Sequence, residues 1–305
     1  MFSDRPHTLR FAPPALHRAL RAAATVALAF TMMAGCSPEA HSDGPPPEPA
    51  KAADDTAETA SKAVSGDVFS HDLWTEVLQE YVNGQGLVDY EGLAKDRAVF
   101  DRYLAKVRTV SPKSHPKLFP NRDHELAYYI NAYNAHVFNG VLDRGPEDDT
   151  VWTPFGSGYS FFSGMDITVG GEETNLKKLE DDVVRAEYED PRIHAALNCA
   201  SIGCPQLPRT AFTGPKLDEQ LDREIRKFIS EERNVEVNAS KKEVRLSQIF
   251  EWFEGDFLAY EKAQGNANPS ILDYINRYRP EGKKIPESYK VSYIDYDKGI
   301  NAQSP

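Results

Sequence analysis

Apolar positions fall at helical spacing from the point where aromatic residues enter the chain. Leu73, Trp74, Val77, Leu78, Tyr81 and Val82 follow the i, i+3, i+4 pattern of an amphipathic helix, with Ser70 placed to cap it. Leu93, Phe100, Tyr103, Leu104 and Val107 predict a second helix, stopped at Ser111-Pro112 because a residue before proline is pushed out of the helical region. Residues 126–142 are apolar nearly all round, which predicts a helix buried on every side. That helix nevertheless carries Asn131, Asn134, His136 and Asn139.

Further on, a Gly-rich aromatic stretch over 154–165 leads into Ile167-Thr168-Val169 and Glu172-Glu173-Thr174. These flank Gly170-Gly171 and predict a hairpin. Leu176, Leu179, Val183 and Val184 predict a helix capped by Thr174 or Asn175. Residues 193–199 read as a buried strand, followed by a turn at Gly203-Cys204-Pro205. Pro215 opens a helix that carries Leu217, Leu221, Ile225, Phe228 and Ile229. Val235 and Val237, then Val244 and Leu246, alternate on either side of a polar turn and predict a second hairpin. Helices near 248–260 and 269–278 and a strand near 291–296 complete the chain. Helices and hairpins without regular βαβ alternation predict an α+β fold: a single globular domain with a buried central helix and short β-hairpins.

Composition changes this picture at the N-terminus. The 305 residues are 40% hydrophobic, but every Tyr and Trp lies at or after Trp74. Residues 37–66 are rich in Pro, Ala, Ser, Asp and Glu and hold no aromatic residue, so they read as a disordered tether. Residues 1–35 hold Arg5, Arg10, Arg18 and Arg21 against Asp4 alone, followed by an apolar run over 22–33. That is the layout of a secretory signal, and the run is too short to span a bilayer as a helix. It closes on Met33-Ala34-Gly35-Cys36, which resembles the bacterial lipobox, where the chain is cut before a cysteine that becomes diacylated. Ser37, standing where Asp would signal inner-membrane retention, points to the outer membrane. The expected divisions are a lipoprotein signal at 1–35, a tether at 36–67 and a folded domain at 68–305. The product would be anchored by lipid on Cys36 at the periplasmic face of the outer membrane.

The net charge is −12, and losing the cationic signal takes the remainder to −15. An acidic surface does not neutralise phosphates, so a nucleic-acid partner is excluded; a partner with a cationic patch fits better. Three cysteines exclude a disulfide scaffold and a four-thiolate zinc site.

Reactive side chains concentrate in residues 190–205, D-P-R-I-H-A-A-L-N-C-A-S-I-G-C-P. His194 and Asn198, four apart, share a side in strand or helix, whereas Cys199, five from His194, faces elsewhere in either. A base for Cys199 is therefore expected from another element, with His124 or His136 of the central helix the candidates. Cys199 and Cys204 are close enough to bridge across a turn at 201–203, so a disulfide, a nucleophilic cysteine and a redox-active pair all remain open. With His194 they match no zinc spacing, and no metal or cofactor is expected. Asn131 and Asn134 either orient a loop or substrate or tie the central helix to the Cys199 segment. His124 and Glu125 also sit where they would cap that helix.

Several separated stretches resemble the domain-of-unknown-function family 547: E-L-A-Y-Y-I-N-A-Y-N-A (125–135), N-L-K-K-L-E-D-D-V-V-R (175–185), residues 190–207, and L-S-Q-I-F-E-W-F-E-G-D-F (246–257), with G-L-V-D-Y (86–90) ahead of them. The family's usual Tyr-Asp-Trp-x-Leu-Asn-like close becomes Tyr296-Asp297-Lys298-Gly299-Ile300-Asn301 here, without the tryptophan. The resemblance implies roles for Asn131, Tyr133, Asn134, Arg192, His194, Cys199, Cys204 and Pro205, but no established reaction. It also suggests a likeness to papain-like or transglutaminase-like thiol enzymes, although Asn131 stands where such an enzyme would carry its cysteine. The expected function is a periplasmic binding or envelope-associated role toward an unknown envelope protein or small molecule. Asn131, Asn134, Tyr133, Arg192 and Asn198 are the candidate binding residues. The alternatives are a thiol-dependent hydrolase or transferase using Cys199 or Cys204 with His194 or His124, and a thiol/disulfide redox protein.

Overall fold

Three helices, α1 (Asp72–Tyr81), α2 (Tyr90–Lys95) and α3 (Ala98–Thr109), pack around a fourth, α4 (Arg122–Arg144), in this computed structural model. It describes residues 68–145, 149–152 and 160–303. The expected signal, tether and Cys36 lie outside the described residues, as do residues 154–159 of the aromatic stretch. Trp74 of α1 shows how this packing works: its ring centroid lies 5.7 Å from Tyr103, 6.0 Å from Phe100 and 5.0 Å from Phe138 of α4. The cap position is His71 rather than the predicted Ser70, which sits one residue before it, but the Ser70 hydroxyl still accepts the Asp72 N–H at 3.1 Å.

Helix α4 opens on Asn121, whose side chain accepts from the His124 N–H at 3.2 Å, and closes at Gly145 with φ 119°. Every residue from Leu126 to Val141 except Tyr129 is buried, as the all-round apolar pattern predicts. The cap is thus Asn121 rather than His124 or Glu125.

After the short α5 (Ser160–Gly164), strands β1 (Ile167–Val169) and β2 (Glu172–Thr174) form the predicted hairpin, Ile167 opposite Thr174. Gly170 and Gly171 turn it with φ of 60° and 88°, the pair of left-handed conformations that a two-residue turn of matching twist requires. A Cβ at Gly170 would run into Ser111. The predicted helix after it is interrupted. One α turn, α6 (Leu176–Lys178), is capped by Asn175 at 2.9 Å; it widens into a π-helix over Leu179–Arg185 and returns to α in α7 (Ala186–Tyr188).

The segment expected as a strand over 193–199 is not one. Asp190 accepts the Arg192 N–H, Pro191 sets the first turn, and Pro191–Ala195 coils as a 3₁₀-helix, its apolar residues buried without a strand to pair with. Helix α8 (Leu217–Ser230) follows, then β3 (Val235–Asn238), β4 (Glu243–Ser247), α9 (Gln248–Trp252), α10 (Glu254–Ala263), α11 (Ile271–Tyr278) and β5 (Lys290–Ile294). Strands β3 and β4 are antiparallel, Val235 opposite Leu246, and β5 adds to β4 in parallel, Val291 beside Val244. Mixed helices and small sheets make the domain α+β.

The buried apolar residues form two clusters. One surrounds α4 and includes the first three helices; the other lies between the three-stranded sheet and α9, α10 and α11. Helix α8 joins them, placing Leu217 and Leu221 in the first and Ile225, Phe228 and Ile229 in the second. Among the described residues no helix is long and apolar enough to cross a membrane.

Candidate ligand-binding cleft

A cleft of about 590 Å³ opens where the two clusters meet. Tyr133, Trp152, Phe162, Leu197 and Cys199 line it from the first cluster, and Ile249, Phe253 and Tyr296 from the second, with Trp252 exposed beside them. Trp252 and Tyr296 pack with ring centroids 4.8 Å apart, and the Lys298 ammonium lies 5.2 Å from the Trp152 ring centroid.

The π-helix supplies the charged lining. In a regular helix Glu180 and Arg185, five apart, would face different directions; the i→i+5 turn of the π-helix brings both to the cleft along with Asp181. The Tyr133 hydroxyl donates to Glu180 Oε2 at 3.1 Å. Burial raises the Glu180 carboxyl to about 7, with the Tyr133 hydrogen bond pulling the other way and the neighbouring Asp181 charge adding to the rise. Glu180 can therefore carry a proton near neutral pH.

Arg185 forks onto Asp256, Nε to Oδ2 at 2.8 Å and Nη2 to Oδ1 at 3.0 Å, and reaches Asp181 with Nη1 at 2.7 Å. His194 Nε2 meets the same Asp256 Oδ2 at 2.8 Å, and its ring stacks on Phe253 with centroids 4.0 Å apart. Burial disfavours the charge on Asp256, but hydrogen bonds from His194 and Arg185 outweigh it and hold the carboxyl well below its usual range. Burial lowers the His194 pKa against the pull of Asp256. Because Asp256 only accepts, His194 Nε2 carries the proton in this pair.

Cys199 and Cys204 form a disulfide, Cα atoms 6.2 Å apart, and both line the cleft. The loop that carries them is held from behind. Asn134 donates to the Ala196 carbonyl and accepts the Asn198 N–H, both at 2.9 Å. Asn198 donates to the Pro205 carbonyl at 2.7 Å and accepts the Ala200 N–H at 2.9 Å. The C-terminal segment closes over the loop: Gly203 N donates to the Asp297 carbonyl at 2.9 Å, and Asn301 donates to Asn198 at 3.2 Å. A Cβ on Gly203 would come within 2.7 Å of the Tyr296 ring, so glycine is what lets the segment lie this close. Tyr296, Asp297 and Asn301 therefore have a structural role in this segment although no tryptophan stands there.

His194, Cys199, Cys204 and Tyr133 are brought together in the cleft, and Pro205 lines it with them. His194 and Cys199 line the same cleft without pairing, since His194 Nε2 is held by Asp256 and the Cys199 sulfur by Cys204; the regular strand or helix assumed for this stretch is instead a 3₁₀ turn leading into a loop. His124 and His136 are outside the cleft. His124 Nδ1 lies 2.7 Å from Asn121 Oδ1 with the ring against Gly214, and His136 Nε2 is spent on the Thr168 carbonyl at 3.1 Å. Neither serves as a base for Cys199. Asn134 ties α4 to the cysteine segment, but Asn131 ties it elsewhere, to both the N–H and carbonyl of Phe212 at 3.0 and 2.8 Å. Arg192 is not a free binding group: Asp190, Asp218 and Asp222 saturate its guanidinium. Asn198 is buried in the loop scaffold and does not line the cleft.

Glu180, Asp181, Arg185, Asp256 and the aromatic residues Trp152, Trp252, Phe253 and Tyr296 escape the sequence reading as site residues. Two of the family-like stretches, 175–185 and 246–257, contain six of these eight, Glu180 among them. Periodicity alone reads both as ordinary helix. Residues 118–229 match the family model described as "Protein of unknown function, DUF547", within the span where the motifs show the resemblance. No curated protein and no solved structure matches the chain.

Proposed function

We propose that this chain is an exported, lipid-anchored protein whose domain binds a small amphipathic ligand in the cleft. The observation that carries the reading is the cleft itself, about 590 Å³ and walled by Tyr133, Trp152, Phe162, Trp252, Phe253 and Tyr296. That size and the apolar lining with a few charged groups are typical of small-molecule sites. The rings take an aromatic or alkyl body, and Lys177, Glu180, Asp181, Arg185 and Lys298 a polar end. Met33-Ala34-Gly35-Cys36 and the Pro-rich residues behind it support a lipid anchor and a tether, and so a place at the periplasmic face of the outer membrane.

A hydrolase or transferase would need Cys199 or Cys204 as a thiolate. Both sulfurs are occupied by the disulfide, and His194 Nε2 is turned to Asp256, so binding is the better reading.

The test uses 8-anilinonaphthalene-1-sulfonate, a fluorescent anion with an apolar aromatic body, titrated into the full-length chain. One saturable site is expected, weakened by Trp152→Ala and by Trp252→Ala. Absence of saturable binding, or identical titrations in all three proteins, overturns the reading. The anchor is tested separately by palmitate labelling, which Cys36→Ala should abolish.

A further inference from the structure

The two sulfurs of the disulfide are not equivalent. Cys204 is 2% exposed, and its Sγ accepts the Cys199 N–H at 3.0 Å while the Tyr296 hydroxyl lies 3.0 Å away. Cys199 is half-buried on the cleft side of the loop. The Tyr296 hydroxyl is also 2.9 Å from Cys199 Sγ. Burial pushes the Tyr296 phenol up, so it stays a donor. A neutral disulfide sulfur is a weak acceptor and gains little from two donors, whereas a thiolate gains a great deal. The donors are therefore placed for a charge that exists only once the bond has broken toward Cys204.

The loop is built to keep its shape when that happens. Ala200, between the two cysteines in sequence, holds φ at 59°, a left-handed conformation that a residue with a Cβ adopts only when its surroundings hold it there. Asn198 takes its N–H and the Asn301 N–H takes its carbonyl, with Asn134 fixing Asn198 in turn. None of these bonds needs the disulfide.

We propose that Cys199–Cys204 is a thiol–disulfide exchange centre that oxidises small thiols entering the cleft, with Cys199 as the attacked sulfur and Cys204 as the leaving one. A substrate thiolate forms a bond to Cys199 Sγ; the Cys199–Cys204 bond breaks, and its electron pair remains on Cys204 as a thiolate held by the Cys199 N–H and the Tyr296 O–H. A second substrate thiolate then attacks the substrate sulfur of the mixed disulfide and expels Cys199. Two substrate thiols become one substrate disulfide, and their two electrons and two protons end on Cys199 and Cys204. Exchange with an oxidised thiol compound runs the same steps backward and restores the disulfide. This activity stands whether or not the cleft takes an amphipathic ligand, since it is read on the sulfurs.

Reduced glutathione is the probe. The native full-length chain is incubated with it without denaturant, quenched with iodoacetamide and mapped by mass spectrometry. Expected are a glutathione adduct on Cys199 and alkylation of Cys204. With oxidised glutathione, Cys204→Ser should acquire an adduct on Cys199 about tenfold or more faster than Cys199→Ser acquires one on Cys204. Tyr296→Phe, its fold checked by circular dichroism, should slow reduction of the disulfide by glutathione about tenfold through loss of one donor to the leaving thiolate. A disulfide that glutathione reaches only after the chain is unfolded overturns the proposal. So does an adduct carried by Cys204, or a Tyr296→Phe rate equal to that of the unaltered chain.

Discussion

Around α4 the chain buries one helix on every face, whereas around β3, β4 and β5 it buries one face of each element. The two cores therefore treat polar groups differently. In the first, uncharged amides go fully inside: Asn131 and Asn134 are 0% and 2% exposed, each gripping backbone from a loop packed against α4. In the second, carboxylates are buried as well, Glu224 and Glu261 beside the uncharged Asn234 and Ser247, and they are matched to Arg223 and Arg277, whose guanidinium groups reach toward solvent. A helix with no exposed face has loops as neighbours, and buried loop backbone needs hydrogen bonds that secondary structure does not supply. Amphipathic elements can leave their charged partners at the surface. The cleft lies at the boundary of these two arrangements and takes amide-held sulfurs from one and the Asp256 carboxylate from the other.

The strongest way to break this comparison is to ask whether the cores are separate at all. Phe138→Ala in the first and Phe257→Ala in the second each remove a fully buried ring, and each should cost about 3–5 kcal/mol. Because α8 belongs to both clusters, either variant should unfold in one transition in denaturant. Two resolved transitions would make the cores independent. A smaller effect sharpens the role of the amides. Asn134→Ala leaves the Ala196 carbonyl and the Asn198 N–H buried without their partner, a loss of about 2–4 kcal/mol by chemical denaturation. A loss below about 0.5 kcal/mol would mean that the loop does not depend on α4.

The smallest effect depends on pH. The Glu180 carboxyl is raised from 4.5 to about 7, so between these values the folded chain keeps a proton that the unfolded chain has released. Stability therefore falls as pH rises through that window and levels off above it. Glutamine cannot titrate and still accepts from Tyr133. Glu180→Gln should match the unaltered chain at pH 4 and exceed it at pH 8, by about 1 kcal/mol given the water that reaches the cleft. Parallel stability curves for the two proteins would place an ordinary carboxylate there.

Helix positions were readable in the chain wherever burial repeats with a fixed period, as in α1, α3, α4 and α8, and both predicted hairpins form. The candidate site was readable only in part. Cys199, Cys204, His194 and Tyr133 reach the cleft, yet the geometric argument that parted His194 from Cys199 rested on a regular element that Asp190 and Pro191 replace with a 3₁₀ turn. Glu180 and Arg185 were hidden for a related reason. Their stretch has ordinary helical apolar spacing at Leu176, Leu179 and Val183, and a π-helix leaves that spacing almost intact while turning two polar side chains to one side.

Local periodicity and composition determined most of the helices and both hairpins, the all-round burial of α4 and the acidic character, because each follows from neighbours a few residues apart. Tertiary structure alone decided that Asp256 meets His194 and Arg185, that Tyr296 lies over both sulfurs, and that the cysteines face a cleft. Those contacts join residues 62, 71 and 97 positions apart. Their pairing is set by how two cores pack against one another, which no short window of the chain contains.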